Sequence, residues 1–194
     1  MHMSTLNTIS TIQSGFQSRT NIRPEEDGSH GLIQIRDLDP DTLILKNSTM
    51  IRFNPILSRK DWELKDGDIL FMARGGRNFS VLMRDIPGGV LASGCFFIIR
   101  LTSPRVLHDY LCWYLNQEPV SQYVKRKTGR GVHMPVVKRS VLEAIDIPIP
   151  SKDIQKKIIE LNRLMNKEQA LLVSLAEKRK QMITHACLNS VNHE

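Results

Sequence analysis

Asp41, Glu63 and Lys65 are the residues of this sequence whose types and spacing best fit catalysis. Their order fits the loose pattern of a metal-dependent nuclease, in which two carboxylates hold Mg²⁺ and a lysine lies near the attacking water. The pattern is permissive, because both segments are also rich in turn-forming residues. We therefore interpret the three as solvated turn residues and keep a nuclease as an alternative.

Other catalytic motifs are incomplete. Asn54-Pro55-Ile56-Leu57 faintly resembles the motif with which amino-methyltransferases position a base, but its second proline and aromatic residue are missing. The sequence contains no phosphate-binding loop ending in Gly-Lys-Ser/Thr and no His-Glu-x-x-His. We expect a protein without catalytic activity of its own.

The cysteines indicate neither disulfides nor a metal site. Cys95, Cys112 and Cys187 are odd in number and far apart, whereas structural zinc sites normally contain a close pair. We therefore expect no metal and no cofactor. The first residues lack a basic segment followed by an apolar one, and no apolar run could span a bilayer. These features favour a cytoplasmic protein that does not enter a membrane.

The charge distribution points to nucleic acid. The formal net charge is +7, from 27 Lys and Arg against 20 Asp and Glu, and a basic balance favours a polyanionic partner. Arginine and asparagine can read guanine and adenine, while glycines let the backbone approach a ligand. A second basic cluster is suited to phosphates, and its histidine could reach a base edge. The predicted DNA-binding residues are Arg74, Gly75, Arg77 and Asn78 in one loop, and Lys125, Arg126, Lys127, Arg130 and His133 in the cluster.

A mixed α/β domain must position these groups. Short runs rich in β-branched and aromatic residues alternate with turn signals, which is typical of strands. Leu6–Ile12 fits either a short helix or a strand. Helices are expected from Ser103-Pro104, from Pro119, and at Ser140–Glu143, whose spacing fits a capping box. The predicted strands are 32–35, 43–45, 50–53, 69–73, 79–83, 90–92, 95–100 and 145–147.

Pro148 and Pro150 mark the boundary between two regions, because neither proline could continue a helix. Beyond them the chain contains no proline or glycine. We predict one helix from Lys152 to about Asn189, about 57 Å long. The fold class is therefore α+β, with a globular domain over residues 1–150 and a long helix within 151–194.

The helix carries an apolar seam with the alternating spacings of three and four that characterise coiled coils. Glu168 and Arg179 interrupt it. If two copies pair antiparallel about a point between Val173 and Ser174, each Glu168 faces Arg179 of the other copy, as an isologous interface requires. We expect such a homodimer. The seam consists of Ile154, Ile158, Leu161, Met165, Leu172, Leu175, Met182 and Ala186.

Several segments, in this order, resemble the specificity subunits of Type I restriction–modification enzymes. Each is weak alone, but together they extend over nearly the whole chain. They are Leu6-x-x-Ile9-x-x-Ile12-x-x-Gly15, residues 33–38, Asp66-Gly67-Asp68-Ile69-Leu70-Phe71 with Arg74-Gly75, Tyr110-Leu111-x-x-Tyr114-Leu115, Gly129, and residues 145–150 leading past Gln155 into the helix.

The resemblance implies a non-catalytic subunit for phage defence. Its recognition domain would contact double-stranded DNA, and its helix would act as a spacer that docks methyltransferase subunits. S-adenosylmethionine would be bound by that partner, and a restriction subunit would join the complex. Members of the family usually have two recognition domains and two such helices, whereas this chain has one of each. A free-standing dimeric DNA-binding protein remains a further alternative.

Overall fold

The computed structural model describes residues 2–18, 21–45, 50–56, 60–128 and 136–191. The chain divides into two compact units, Met1–Lys152 and Asp153–Glu194. The first is a mixed α/β unit and the second is helical, so the predicted α+β class with a long helix is confirmed. No helix in the described part of the chain has the length and apolar character needed to cross a membrane.

The first unit consists of short strands with few helices. Its elements are β1 (His2–Thr5), α1 (Leu6–Ile9), β2 (Ser10–Ser14), β3 (His30–Ile33), β4 (Ile51–Phe53), β5 (Ile69–Met72), β6 (Ser80–Leu82), β7 (Val90–Ala92), β8 (Phe96–Leu101), α2 (His108–Leu115), α3 (Glu118–Thr128), α4 (Arg139–Glu143) and β9 (Asp146–Ile149), with 3-10 turns at Ile35–Asp37 and Lys60–Trp62. The second unit contains α5 (Lys152–Val191).

The strands form three sheets. An antiparallel sheet has the order β2-β8-β5-β6, and a second sheet has the order β4-β3-β7, in which β3 and β7 are parallel. The first strand pairs with the last: β1 is antiparallel to β9, with His2 opposite Ile149. The backbone N–H of Leu6 extends this pairing by donating to the carbonyl of Ile145 at 2.9 Å.

One core joins the two larger sheets. Buried residues from β3, β5, β6, β7 and β8 form a single cluster that includes Ile33, Leu70, Val81, Ala92 and Ile98. Since successive strand residues point to opposite faces, the neighbours of these residues face the other way. All four residues of β5 are buried, so both faces of this strand are covered. This explains why β5 is a continuous apolar run rather than an alternating one.

A buried ion pair ties the start of β5 to β8. The carboxylate of Asp68, 1% exposed, accepts hydrogen bonds from Arg100 at 2.8 Å (Nε) and 2.7 Å (Nη2). It also accepts from the backbone N–H of Lys65 at 2.9 Å, which closes the turn before the strand. The hydrogen bond with Asp68 raises the pKa of Arg100, against the opposing effect of burial. The Asp66-Gly67-Asp68 segment therefore has a structural role, because Asp68 closes the turn and binds Arg100.

Helix α2 covers the edge of the four-stranded sheet. The side-chain amide of Asn116 accepts from the backbone N–H of Ser80 at 2.8 Å and donates to its carbonyl at 2.9 Å. The amide thus replaces a neighbouring strand and satisfies polar groups that an edge strand would otherwise leave unpaired. Cys112, on the same helix, is buried, which raises its pKa to about 12. Its thiol is protonated at neutral pH and is not a nucleophile there.

Most predicted elements are confirmed, often with shifted ends. Leu6–Ile12 contains both alternatives, since α1 is followed directly by β2. The helix expected at Pro119 begins at Glu118, and the long helix begins at Lys152 as predicted. The strand β1 was not predicted, because its partner β9 lies at the other end of the domain.

Three local predictions were wrong. Residues 43–45 do not form a strand, because Leu43 has a φ of 57° and Leu45 makes only an isolated bridge with Leu38. Helix α2 does not begin at Ser103-Pro104. The backbone N–H of Ser103 donates to the Ile9 carbonyl at 3.1 Å, which holds this residue beside the sheet.

The third error is the capping box at Ser140 and Glu143. Helix α4 begins at Arg139, so Ser140 is already inside it. The carboxylate of Glu143 accepts from Arg139 Nε at 2.7 Å instead of capping the backbone.

We predict that Asp68→Asn lowers the free energy of unfolding by about 2–3 kcal/mol, because it leaves the partly buried Arg100 without its carboxylate. Asp109→Asn is the matched control: it removes the partner of Arg84 from a more exposed ion pair, and we expect a loss of less than about 1 kcal/mol. Urea unfolding of both variants tests this. Equal losses would mean that the buried ion pair contributes no more to stability than the exposed one.

Candidate nucleic-acid interface

The loop between β5 and β6 presents the first group of predicted DNA-binding residues. The two strands pair antiparallel, and the backbone N–H of Met72 donates to the carbonyl of Phe79 at 2.9 Å. Between them the chain turns through Gly75, whose φ of 122° strongly favours glycine. Arg74 and Arg77 are exposed at this turn. The loop therefore offers two guanidinium groups at the end of a buried strand.

Asn78 has a structural contact within this loop. Its Nδ2 donates to the carbonyl of Met72 at 2.7 Å and so closes the turn. One of its amide hydrogens is thereby engaged, although its side chain is only half-buried. Its predicted contact with adenine stays a prediction.

The chain returns beside this loop after the second predicted group. Val136 forms an antiparallel bridge with Arg74, and the backbone N–H of Val137 donates to the carbonyl of Ala73 at 2.8 Å. Arg130 and His133 lie outside the described residues. The chain that follows them, at Val136 and Val137, is hydrogen-bonded to the first loop.

Helix α3 carries the rest of the basic cluster on its exposed side. Val120 and Val124 are buried, whereas Lys125, Arg126 and Lys127 are exposed. The three cations occupy the last turn, where the helix dipole favours positive charge. None of them takes part in an ion pair within the described ranges. Their charge is available to an external anion.

Arg77, in contrast, has an acidic neighbour. Its Nη1 lies 2.6 Å from Oδ1 of Asp41, and the two side chains are 62% and 79% exposed. This contact could not be predicted from the sequence, because the residues are 36 positions apart and come from different loops. Asp41 lies in a turn in which Oδ1 of Asp39 accepts from the backbone N–H groups of Asp41 and Thr42. The interpretation of this segment as a turn is confirmed.

The other residues of the nuclease hypothesis also have different partners. Oε2 of Glu63 accepts from the backbone N–H of Gly89 at 3.2 Å, and Lys65 belongs to the turn closed by Asp68. In the part of the chain that the structure describes, no group of three or more His, Cys, Asp or Glu side chains could hold a metal ion. The carboxylates Asp41 and Glu63 both have contacts that a metal-bound site would have to replace.

The apolar seam of α5 is exposed over most of its length. Leu172 and Leu175 in its middle are 59% and 50% exposed, and Met182 is 68% exposed. The seam is wider than predicted, since Leu164 and Leu171 are also exposed at 48% and 62%. The remaining predicted seam residues are Ile154, Leu161, Met165 and Ala186, all exposed, and Ile158, which is half-buried.

Comparison with known proteins rests on structure. No family model and no curated protein matches the sequence. A structure from work on the complex assembly and conformational transition of the type I R-M system matches with a TM-score of 0.71 and 16% identity. The match covers 93% of this chain and 46% of the chain in that structure. The chain has the fold of a Type I S subunit.

Two further S-subunit structures support this assignment of the fold. The HsdS subunit from Thermoanaerobacter tengcongensis matches with a TM-score of 0.63 and 18% identity, covering 93% of this chain and 46% of its own. The Type-I restriction-modification system S subunit from M. genitalium matches with a TM-score of 0.52 and 15% identity, covering 93% and 42%. The chain thus spans less than half the length of each S-subunit structure.

The S-subunit fold allows a test of the basic cluster on α3. We expect Lys125→Gln, Arg126→Gln and Lys127→Gln together to weaken binding to double-stranded DNA and to reduce the salt dependence of log K by about two to three, because each phosphate contact releases counterions. Fluorescence anisotropy over a salt series measures both.

The control variant changes Lys156, Lys157 and Lys167 to Gln, which removes the same charge from exposed positions of α5. An equal effect of the two triple variants would show that only net charge matters and that α3 is not a DNA contact.

Proposed function

We propose that this chain is the DNA-recognition subunit of a Type I restriction–modification complex and has no catalytic activity. The observation that carries the proposal is the similarity to S-subunit structures over 93% of the chain, which includes both the mixed domain and the long helix. The exposed arginine loop and the cations of α3 support a DNA contact, since arginine reads guanine and surface cations bind phosphates.

The partners follow from the same proposal. Helix α5 would dock methyltransferase subunits, which would bind S-adenosylmethionine themselves, and a restriction subunit would complete the complex. The assembly would work in the cytoplasm and defend the cell against phage DNA. Each component would contribute one property: this chain supplies sequence recognition, and its partners supply methylation and cleavage.

We further propose that two copies pair antiparallel through α5. About a point between Val173 and Ser174, Leu172 of one copy faces Leu175 of the other. The exposed residues outside the predicted seam fit the same symmetry, since Leu164 faces Ile183, and both are exposed at 48% and 60%. A two-fold dimer would bring two recognition domains to one DNA, so its site would be a bipartite inverted repeat.

Methylation mapping tests the recognition role. Co-expression with a methyltransferase subunit encoded beside this chain should give a complex that methylates plasmid DNA at one bipartite inverted repeat. Replacement of residues 6–147 by another recognition domain should change that site, while the methyltransferase remains the same.

The other outcomes separate the alternatives. An asymmetric site would keep the recognition role and reject the homodimer. Tight binding to one sequence without any complex would favour a free-standing dimeric DNA-binding protein, and Mg²⁺-dependent cleavage by the chain alone would favour a nuclease.

Charge reversal in the seam tests the dimer. Glu168→Arg places like charges opposite each other twice in a two-fold dimer. We therefore expect the dissociation constant of the dimer to rise roughly tenfold. Adding Arg179→Glu restores opposite charges and should restore the dimer. Sedimentation equilibrium measures both, and a wild-type chain that stays monomeric throughout would reject the homodimer.

A further inference from the structure

The ion pair between Arg77 and Asp41 joins two loops, and in each of them a side chain is hydrogen-bonded to the backbone. On one side, the Asn78 amide closes the β5–β6 loop against Met72, and Gly75 turns it with a positive φ. On the other side, the carboxylate of Asp39 holds the backbone of Asp41 and the following residue. An arginine side chain is flexible by itself, so an ion pair with a carboxylate whose backbone is held in a turn restricts the directions in which its guanidinium can point.

The contact leaves one edge of the guanidinium available. Asp41 accepts from Nη1, while Nε and Nη2 donate to no acceptor among the described residues. These two nitrogens carry parallel N–H donors, which match the adjacent N7 and O6 acceptors of guanine in the major groove. The orientation therefore suits bidentate contact with one base.

The charge of the pair also favours a base over a phosphate. Asp41 offsets the positive charge of Arg77, which reduces the attraction for a phosphate but keeps the directional donors. Arg74, in the same loop, takes part in no ion pair within the described part of the chain. Two arginines three positions apart thus differ in electrostatic environment.

We propose that Asp41 is a specificity-determining positioning residue, which orients Arg77 to read a guanine in the recognised DNA, whereas Arg74 contacts a phosphate. This inference rests on the proposed DNA-recognition function. It assigns to Asp41 a role in recognition rather than in metal binding, and it states one feature of the DNA site: a G·C pair read by the β5–β6 loop.

The experiment selects bound sequences from a random double-stranded DNA library, using the full chain in complex with its methyltransferase subunit. Arg77→Gln should remove the preference for guanine at one position. Asp41→Ala should reduce that preference by roughly fivefold or more at the same position, since a good bidentate contact discriminates by about that factor or above. The double variant should resemble Arg77→Gln, because Asp41 acts through Arg77.

Two controls separate orientation from loss of charge or of folding. Asp109→Ala also removes an exposed aspartate from an arginine, Arg84, and should leave the selected sequence unchanged. Thermal unfolding should give the same midpoint for all these variants and for wild type. Arg74→Gln should reduce the salt slope by about one without changing the selected sequence.

The inference and the proposed function fail in different ways. If wild type selects a sequence and Asp41→Ala leaves its guanine preference intact, Asp41 is not a positioning residue. If Arg77→Gln lowers the salt slope without changing the sequence, Arg77 binds phosphate and the inference is wrong, although recognition stands. A wild-type complex that selects no sequence would overturn both.

Discussion

The buried carboxylate of Asp68 is the constraint on which the position of the β5–β6 loop depends. A carboxylate that is 1% exposed requires charged or hydrogen-bonding partners, and Arg100 with the Lys65 N–H supplies them. Because Arg100 belongs to β8, this requirement fixes how β5 aligns with its neighbour, with Ile69 opposite Ile99. A shift of one residue would exchange the side chains between the two covered faces of β5 and separate Asp68 from Arg100. The loop at the far end of β5 is placed accordingly.

Local patterns predicted the elements of this fold better than the contacts between them. The β-branched runs gave most strands, and the absence of proline and glycine after Pro150 gave the long helix. The errors occur where a distant hydrogen bond overrides a local preference, as at Ser103, which the carbonyl of Ile9 holds. The pairing of β1 with β9 could not be predicted, because a strand of four residues has little periodicity.

The same limit applies to the candidate site. Composition and glycine positions identified the loop with Arg74 and Arg77, because charge and backbone freedom are properties of single residues and short segments. The ion pair of Arg77 with Asp41 could not be foreseen, since it joins residues 36 positions apart. Asp41 was assigned to a turn correctly, but its side chain acquires a second contact only in the folded domain. The position of a charged residue can be read from the sequence, whereas the residue that pairs with it is set by the fold.

The pairing of β1 with β9 places the beginning and the end of the mixed domain side by side, with His2 opposite Ile149. A domain whose two connections leave from adjacent strands can be exchanged as a cassette, because the flanking chain needs no change in length or direction. The same geometry suits duplication of the domain in tandem. Structures of about twice this length with the same fold are compatible with that arrangement. Recombination could then replace the mixed domain as a whole, in one step rather than by gradual change within it.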